Sequence, residues 1–182
     1  FLVWARGLML LWMGMFGVFS GYFYSAPPLC FNSRGLGEIL VGLNFGVLAV
    51  LGAFYVQAQS LSLTALIAAL PLACLVAALL YLNEFPDYVA DKQAGKNTLV
   101  VRLGLSRARV IYVLLLGLSF VVVMLGVLFQ QLPFWSLICL LMVPLAGVAI
   151  QVLYTCYDKP MALIPAIKIT ILLHTVVSVV LI

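Results

Sequence analysis

The residues best placed to do chemistry are Asn83, Asp87 and Asp91, followed by Lys92, Lys96 and Arg102. Mg²⁺ is a hard cation that takes oxygen ligands, commonly one or two carboxylates together with waters and substrate phosphates. On an uninterrupted helix, residues four apart drift by only about 40° per step, so Asn83, Asp87 and Asp91 share a face. Pro86 is expected to end or kink the preceding helix near Phe85 and then to serve as the first residue of a new one. Asp87 then lies in a first helical turn, where negative charge is favourable. Asp87 and Asp91 still share a face on that new helix. Lys92, Lys96 and Arg102 are suited to the remaining phosphate oxygens. Gly95 permits a tight turn ahead of Lys96. The pattern suggests a Mg²⁺ site serving a phosphorylated lipid. A solvated loop whose basic residues only enforce orientation accounts for the same residue types.

Scarcity of charge elsewhere sharpens the signal. The chain has 182 residues, 66% hydrophobic and 8% charged, so its surface cannot be a water-facing one. Three of its five acidic residues and five of its nine basic residues fall between Asn83 and Arg109. Mean hydropathy is +1.29, and the chain reads as an integral membrane protein. About 20 apolar residues cross a hydrocarbon core as helix. Six runs qualify: Leu2–Phe23, Leu36–Val56, Leu61–Leu82, Val110–Phe129, Leu132–Leu153 and Met161–Ile182. None alternates as a transmembrane strand would, so the expected fold is all-α, a polytopic transmembrane helical bundle. The aspartates then lie in a loop, residues 83–109, between the third and fourth spans.

Orientation follows from the connections. The odd-numbered ones hold Arg34, Lys92, Lys96, Arg102, Arg107, Arg109 and Lys159, and the even-numbered ones hold no charge. The positive-inside rule puts the odd connections, and all five carboxylates, on the cytoplasmic side. The spacings Gly17-x-x-x-Gly21 and Gly42-x-x-x-Gly46 predict close helix packing. Cys30, Cys74, Cys139 and Cys156 form no Cys-x-x-Cys pair and read as reduced small hydrophobes. Pro71, Pro144 and Pro165 are expected to kink helices. Polar residues inside spans are functional candidates by default. Lys168 either snorkels to the surface or reaches a cavity. Asn44 either bonds a substrate or joins two helices. His174 reads as a structural hydrogen bond. Arg6 reads as a snorkelling residue near the outer end of the first span. Tyr24 is either a pocket wall or an interfacial belt residue.

Residues Asn83-Glu-Phe-Pro-Asp87-Tyr-Val-Ala-Asp91-Lys-Gln-Ala-Gly95-Lys96-Asn-Thr98-Leu-Val-Val-Arg102-Leu-Gly104 resemble the second aspartate-rich motif of the UbiA superfamily of intramembrane prenyltransferases. The stretches Tyr24-Ser-Ala-Pro-Pro28 and Arg34-Gly-Leu-Gly-Glu38 are similar to the connection between helices four and five in the 1,4-dihydroxy-2-naphthoate polyprenyltransferase branch. The resemblance covers nearly the whole chain, as helices four to nine of a nine-helix fold. It implies one transmembrane prenyltransferase domain over residues 1–182, N-terminally truncated, which alone should be inactive. The family's first aspartate-rich motif has no match here and is expected upstream of Phe1. Arg34 is the only cation of the first connection, where relatives often carry more.

The resemblance implies Mg²⁺-dependent transfer of a polyprenyl group from polyprenyl diphosphate to an aromatic acceptor. Diphosphate leaves readily only when its developing charge is neutralised, and the allylic cation needs a site free of water. With dihydroxynaphthoate as acceptor, prenyl addition replaces the carboxyl group, which departs as CO₂ in menaquinone biosynthesis. On this reading Asp87 and Asp91 hold Mg²⁺ and Asn83 supports them. Lys92, Lys96, Arg102 and Arg34 contact diphosphate, and Tyr24, Asn44 and Lys168 line the substrate pocket. The expected setting is a prokaryotic inner (plasma) membrane, with the site facing the cytoplasm and no nucleic-acid partner. The alternatives are another acceptor (4-hydroxybenzoate, homogentisate or a glycerol-phosphate lipid) or a non-catalytic lipid-binding relative. A transporter fits less well, because paired halves with broken helices at mid-membrane are not apparent.

Overall fold

The structure is a computed structural model that describes residues 2–182. Every regular element among them is helical. A short helix α1 (Leu2–Arg6) precedes α2 (Leu8–Ser25). The expected single run from Leu2 is therefore broken, because Gly7 takes φ +98°, a conformation open to glycine without steric cost. A 3₁₀ turn, Phe31–Arg34, leads to the second span, Gly37–Ala58. That span begins as α3 (Gly37–Val41), passes through a π-helical stretch at Gly42–Leu48, and ends as α4 (Ala49–Ala58).

The third span, α5 (Leu63–Gln93), is the longest. The Ser62 side chain caps it, accepting from the Ala65 N–H at 3.4 Å. At 1.5 Å per residue its 31 residues reach about 46 Å, against a hydrocarbon core of about 30 Å. Its last turns therefore project from the membrane, and these turns carry Asn83, Asp87 and Asp91. The expected break at Pro86 does not occur: Pro71 and Pro86 both lie inside the helix. Packing outweighs the roughly 3 kcal/mol that an interior proline costs. Tyr81, Leu82 and Phe85, the residues just ahead of Pro86, are all buried, and the Tyr81 and Phe85 rings meet edge to face at 5.8 Å.

After a turn over residues 94–98 come α6 (Leu99–Leu103) and α7 (Leu105–Leu128). The predicted loop 83–109 is thus mostly helix, with five irregular residues between α5 and α6. The fifth span, Phe134–Cys156, starts as 3₁₀ helix and becomes α8 (Val143–Cys156). The sixth, Pro160–Leu181, does the same and becomes α9 (Ile164–Leu181). Pro144 and Pro165 fall in the first turns of α8 and α9, where a missing N–H removes no bond. Each lies just after a change from 3₁₀ to α-helix.

Among the described residues, six helices are thus long and apolar enough to cross a membrane. α5 is the central one, touching α7, the second span and α9. Buried hydroxyls are satisfied across these contacts. Tyr81 donates to the Ala108 carbonyl at 2.9 Å. Tyr112 bonds Thr170 at 2.6 Å, and Thr170 donates onward to the Ala166 carbonyl. Of the two small-residue motifs, Gly42-x-x-x-Gly46 meets its neighbour. A Cβ on Gly46 would collide with the Ala73 Cα, so the second span and α5 approach backbone to backbone. Gly17 faces Leu48, whereas Gly21 faces open space. On α7, Arg109 stacks between the rings of Tyr154 and Tyr157, 4.6 and 4.4 Å from their centroids. This clip ties the start of α7 to the end of α8. All four cysteines are free.

Candidate functional site

The projecting end of α5 presents Asn83, Asp87 and Asp91 at successive i, i+4 positions on one uninterrupted helix. Asn83 and Asp87 are exposed, and Asp91 is buried. Continuity of the helix places all three on one face, a stronger arrangement than two carboxylates on a restarted one. The chain then turns back at Gly95, which takes φ +71°. That turn returns Lys96 to the helix end, where its Nζ donates to Asp91 Oδ1 at 2.9 Å. This bond and the charges of Asp91 and Asp87 raise the Lys96 pKa above its usual 10.5, so the ammonium stays charged at neutral pH. Lys96 remains half-exposed, and a pair in that setting is worth at most about 1 kcal/mol. Its value is positional.

Arg102, at the end of α6, is drawn to the same end of the bundle. Its Nε donates to the Asn97 carbonyl at 2.9 Å. The side chain also lies across Gly35, where a Cβ would stand 3.4 Å from Arg102 Nε. Gly35 has φ +67°, so the backbone conformation calls for glycine there. The Asn97 N–H donates to the Ser33 carbonyl at 3.2 Å. The first connection and the segment after the aspartates therefore form one platform. Arg34 belongs to it, its guanidinium donating to the Pro28 carbonyl at 2.8 Å.

Three expected members stand apart. Lys92 lies about 100° round α5 from Asp91, away from the side of Asp87, with its ammonium 5.9 Å from the Tyr88 ring centroid. Asn44 donates to Ser20 Oγ at 2.9 Å and accepts from it at 3.1 Å, joining the first two spans. Lys168 is exposed in the second turn of α9. Tyr24 is half-buried and packs on Gly37, its hydroxyl 3.4 Å from where a Cβ there would sit. His174 lies on a cavity of about 620 Å³ between α4, α5 and α9, lined with Ala49, Ala53, Ala68 and Leu72. Its Nε2 is buried without a partner, so the structural hydrogen bond expected there is missing at that atom.

Two carboxyls escaped sequence reasoning as a pair. Glu38 is 5% exposed, and its side chain reaches that of Glu84. Glu84 Oε2 accepts from the Val100 N–H at 3.4 Å. The two are 46 positions apart, so no local spacing signals their meeting.

Among the described residues, no group of three or more His, Cys, Asp or Glu side chains could hold a metal ion by itself. The face of α5 offers two carboxylates and an amide. That donor set fits Mg²⁺, which shares its coordination with waters and phosphate oxygens.

A bundle of apolar spans with an aspartate helix projecting from one end defines a membrane-embedded class of protein. The chain matches the UbiA prenyltransferase family over residues 1–174, and it belongs to that family of transferases. It is 31% identical over 143 residues to a 2-carboxy-1,4-naphthoquinone phytyltransferase of Synechocystis sp., covering 79% of this chain and 47% of that one. It is 35% identical over 133 residues to a 1,4-dihydroxy-2-naphthoate octaprenyltransferase of Escherichia coli, covering 73% and 43%. Human UbiA prenyltransferase domain-containing protein 1 is 35% identical over 107 residues, covering 59% and 32%. The chain thus spans less than half the length of these relatives. No solved structure matches it at a significant level.

Proposed function

We propose that the protein of which these residues form part transfers a polyprenyl group from polyprenyl diphosphate to 1,4-dihydroxy-2-naphthoate, with Mg²⁺ as cofactor. The observation that carries this is the single face of α5 bearing Asn83, Asp87 and Asp91, with Lys96 folded back onto Asp91 and Arg102 bonded to the turn that follows. Asp87 and Asp91 would hold Mg²⁺ with Asn83 in support. The bound ion would neutralise charge on the departing diphosphate. Lys96, Arg102 and Arg34 present cations to the other phosphate oxygens. The allylic C–O bond breaks with its electron pair on diphosphate. A ring carbon of the acceptor forms the new C–C bond, and CO₂ leaves that carbon. The apolar bundle keeps water from the cation. The two relatives named for naphthoate-type acceptors support this acceptor over 4-hydroxybenzoate. The site would face the cytoplasm of a prokaryotic plasma membrane.

The test is an acceptor panel on the full-length protein in detergent with polyprenyl diphosphate. Dihydroxynaphthoate is expected to give a prenylated product lacking the carboxyl carbon, and EDTA is expected to stop it. Product with 4-hydroxybenzoate alone would overturn the acceptor. No product with any acceptor would favour a lipid-binding role.

A further inference from the structure

Glu84 is the acidic residue of the aspartate segment that metal binding leaves unused. It follows Asn83 directly, so it points about 100° away from that residue on α5. Its carboxyl turns toward the next helix. Oε2 accepts from the N–H of Val100, the second residue of α6. Thr98 is the N-cap, its Oγ1 accepting from the Val101 N–H at 3.4 Å. Two N–H groups that a helix start leaves free are thereby satisfied, one of them by a side chain from α5. On its other side Glu84 meets Glu38 of α3, whose Oε1 is buried and has no hydrogen-bond partner. One side chain therefore joins α3, α5 and α6. α6 carries Arg102, and α3 follows the loop of Arg34.

We propose that Glu84 is a positioning residue, holding α6 and the first connection against the aspartate face so that Arg102 and Arg34 stand beside it. The effect on turnover rests on the prenyl-transfer reading, whereas the effect on α6 does not. The proposal makes an unusual demand of Glu84→Gln. The amide oxygen still accepts from Val100, and the amide N–H₂ puts a donor beside the Glu38 carboxyl. Replacing the carboxyl by an amide should therefore be harmless, which it would not be for a metal ligand.

The experiment uses the full-length protein in nanodiscs, with hydrogen–deuterium exchange of residues 97–103 and steady-state kinetics. Glu84→Ala is expected to raise exchange in that segment. It is also expected to raise KM for polyprenyl diphosphate about tenfold, as for a displaced charge-assisted contact, with a smaller change in kcat. Glu84→Gln is expected to restore both to wild-type values. An inactive Glu84→Gln protein with wild-type exchange overturns the proposal in favour of a charge-bearing ligand. Wild-type exchange in Glu84→Ala overturns it as well. Should Glu84→Ala fail to accumulate, Glu84→Asp draws the carboxyl back by one methylene from the Val100 N–H and should raise exchange in the same segment; no change there counts against the proposal. A wild-type protein without turnover overturns the prenyl-transfer reading and leaves the exchange result to decide the positioning.

Discussion

Asp91 is the most enclosed of the three side chains on the projecting face of α5, and its carboxylate is already bonded to Lys96. A buried oxygen donor held in one orientation suits a metal ligand, because little ordering remains to be done on binding. Asp91→Asn keeps the shape and one oxygen but removes the charge. In the full-length protein it is expected to lower prenyl transfer by about 100-fold or more. Membrane insertion and thermal midpoint should stay near wild type, because the half-exposed ion pair contributes at most about 1 kcal/mol. Turnover retained at wild-type level would remove Asp91 from the proposed metal site. At this scale the sequence was legible where residues are close in the chain. Asn83, Asp87, Asp91 and Lys96 come together as spacing predicts. Lys92 does not, since a helix turns consecutive residues about 100° apart. Asn44 engages Ser20, a partner 24 positions away that spacing cannot reveal.

Two features of the elements matter most: the unbroken α5 and the π-helical stretch beside it. The second span approaches α5 closely because Gly46 carries no side chain. Gly46→Leu would drive a Cβ into the Ala73 backbone, which cannot move aside as a flexible side-chain tip could. Overpacking of this kind costs about 1–3 kcal/mol or more. The expected result is a lower thermal midpoint in detergent than wild type. Gly14→Ala, with nothing within 4 Å of the added carbon, should unfold with the wild type. Equal midpoints for Gly46→Leu and Gly14→Ala would mean that this contact does not hold the spans together. The six spans were readable from runs of apolar residues, but the first starts at Leu8 instead of Leu2 and the third runs on to Gln93 instead of ending at Leu82. The path through Pro86 was not. Whether an interior proline breaks a helix depends on how firmly its neighbours are packed, here Tyr81, Leu82 and Phe85.

At the scale of the molecule, α5 is the single crossing between the uncharged turn at Gln59 and the charged platform at Lys96. Both residues are exposed. The distribution of Lys and Arg predicts that the platform faces the cytoplasm. In a cysteine-free background of the full-length protein, Lys96→Cys should react with a membrane-impermeant maleimide in inside-out vesicles. Gln59→Cys should react only after the vesicles are opened. Labelling of both from one side would overturn the topology. The exposed face of the bundle, with Trp12, Phe45, Leu114, Leu141 and Val179, is as apolar as a surface solvated by lipid must be.

Composition and spacing by themselves determined that this is a membrane bundle of six helices with one polar, carboxylate-bearing segment, and the motif pointed to the UbiA family. Those properties are local or additive: hydropathy sums along a run, and helical register follows from residue number. Only the tertiary structure decided that α5 runs through Pro86, that Arg102 lies on Gly35, and that Glu38 meets Glu84. Each depends on segments remote in sequence being pressed together, and the free energy of that packing is not carried by any one stretch of the chain.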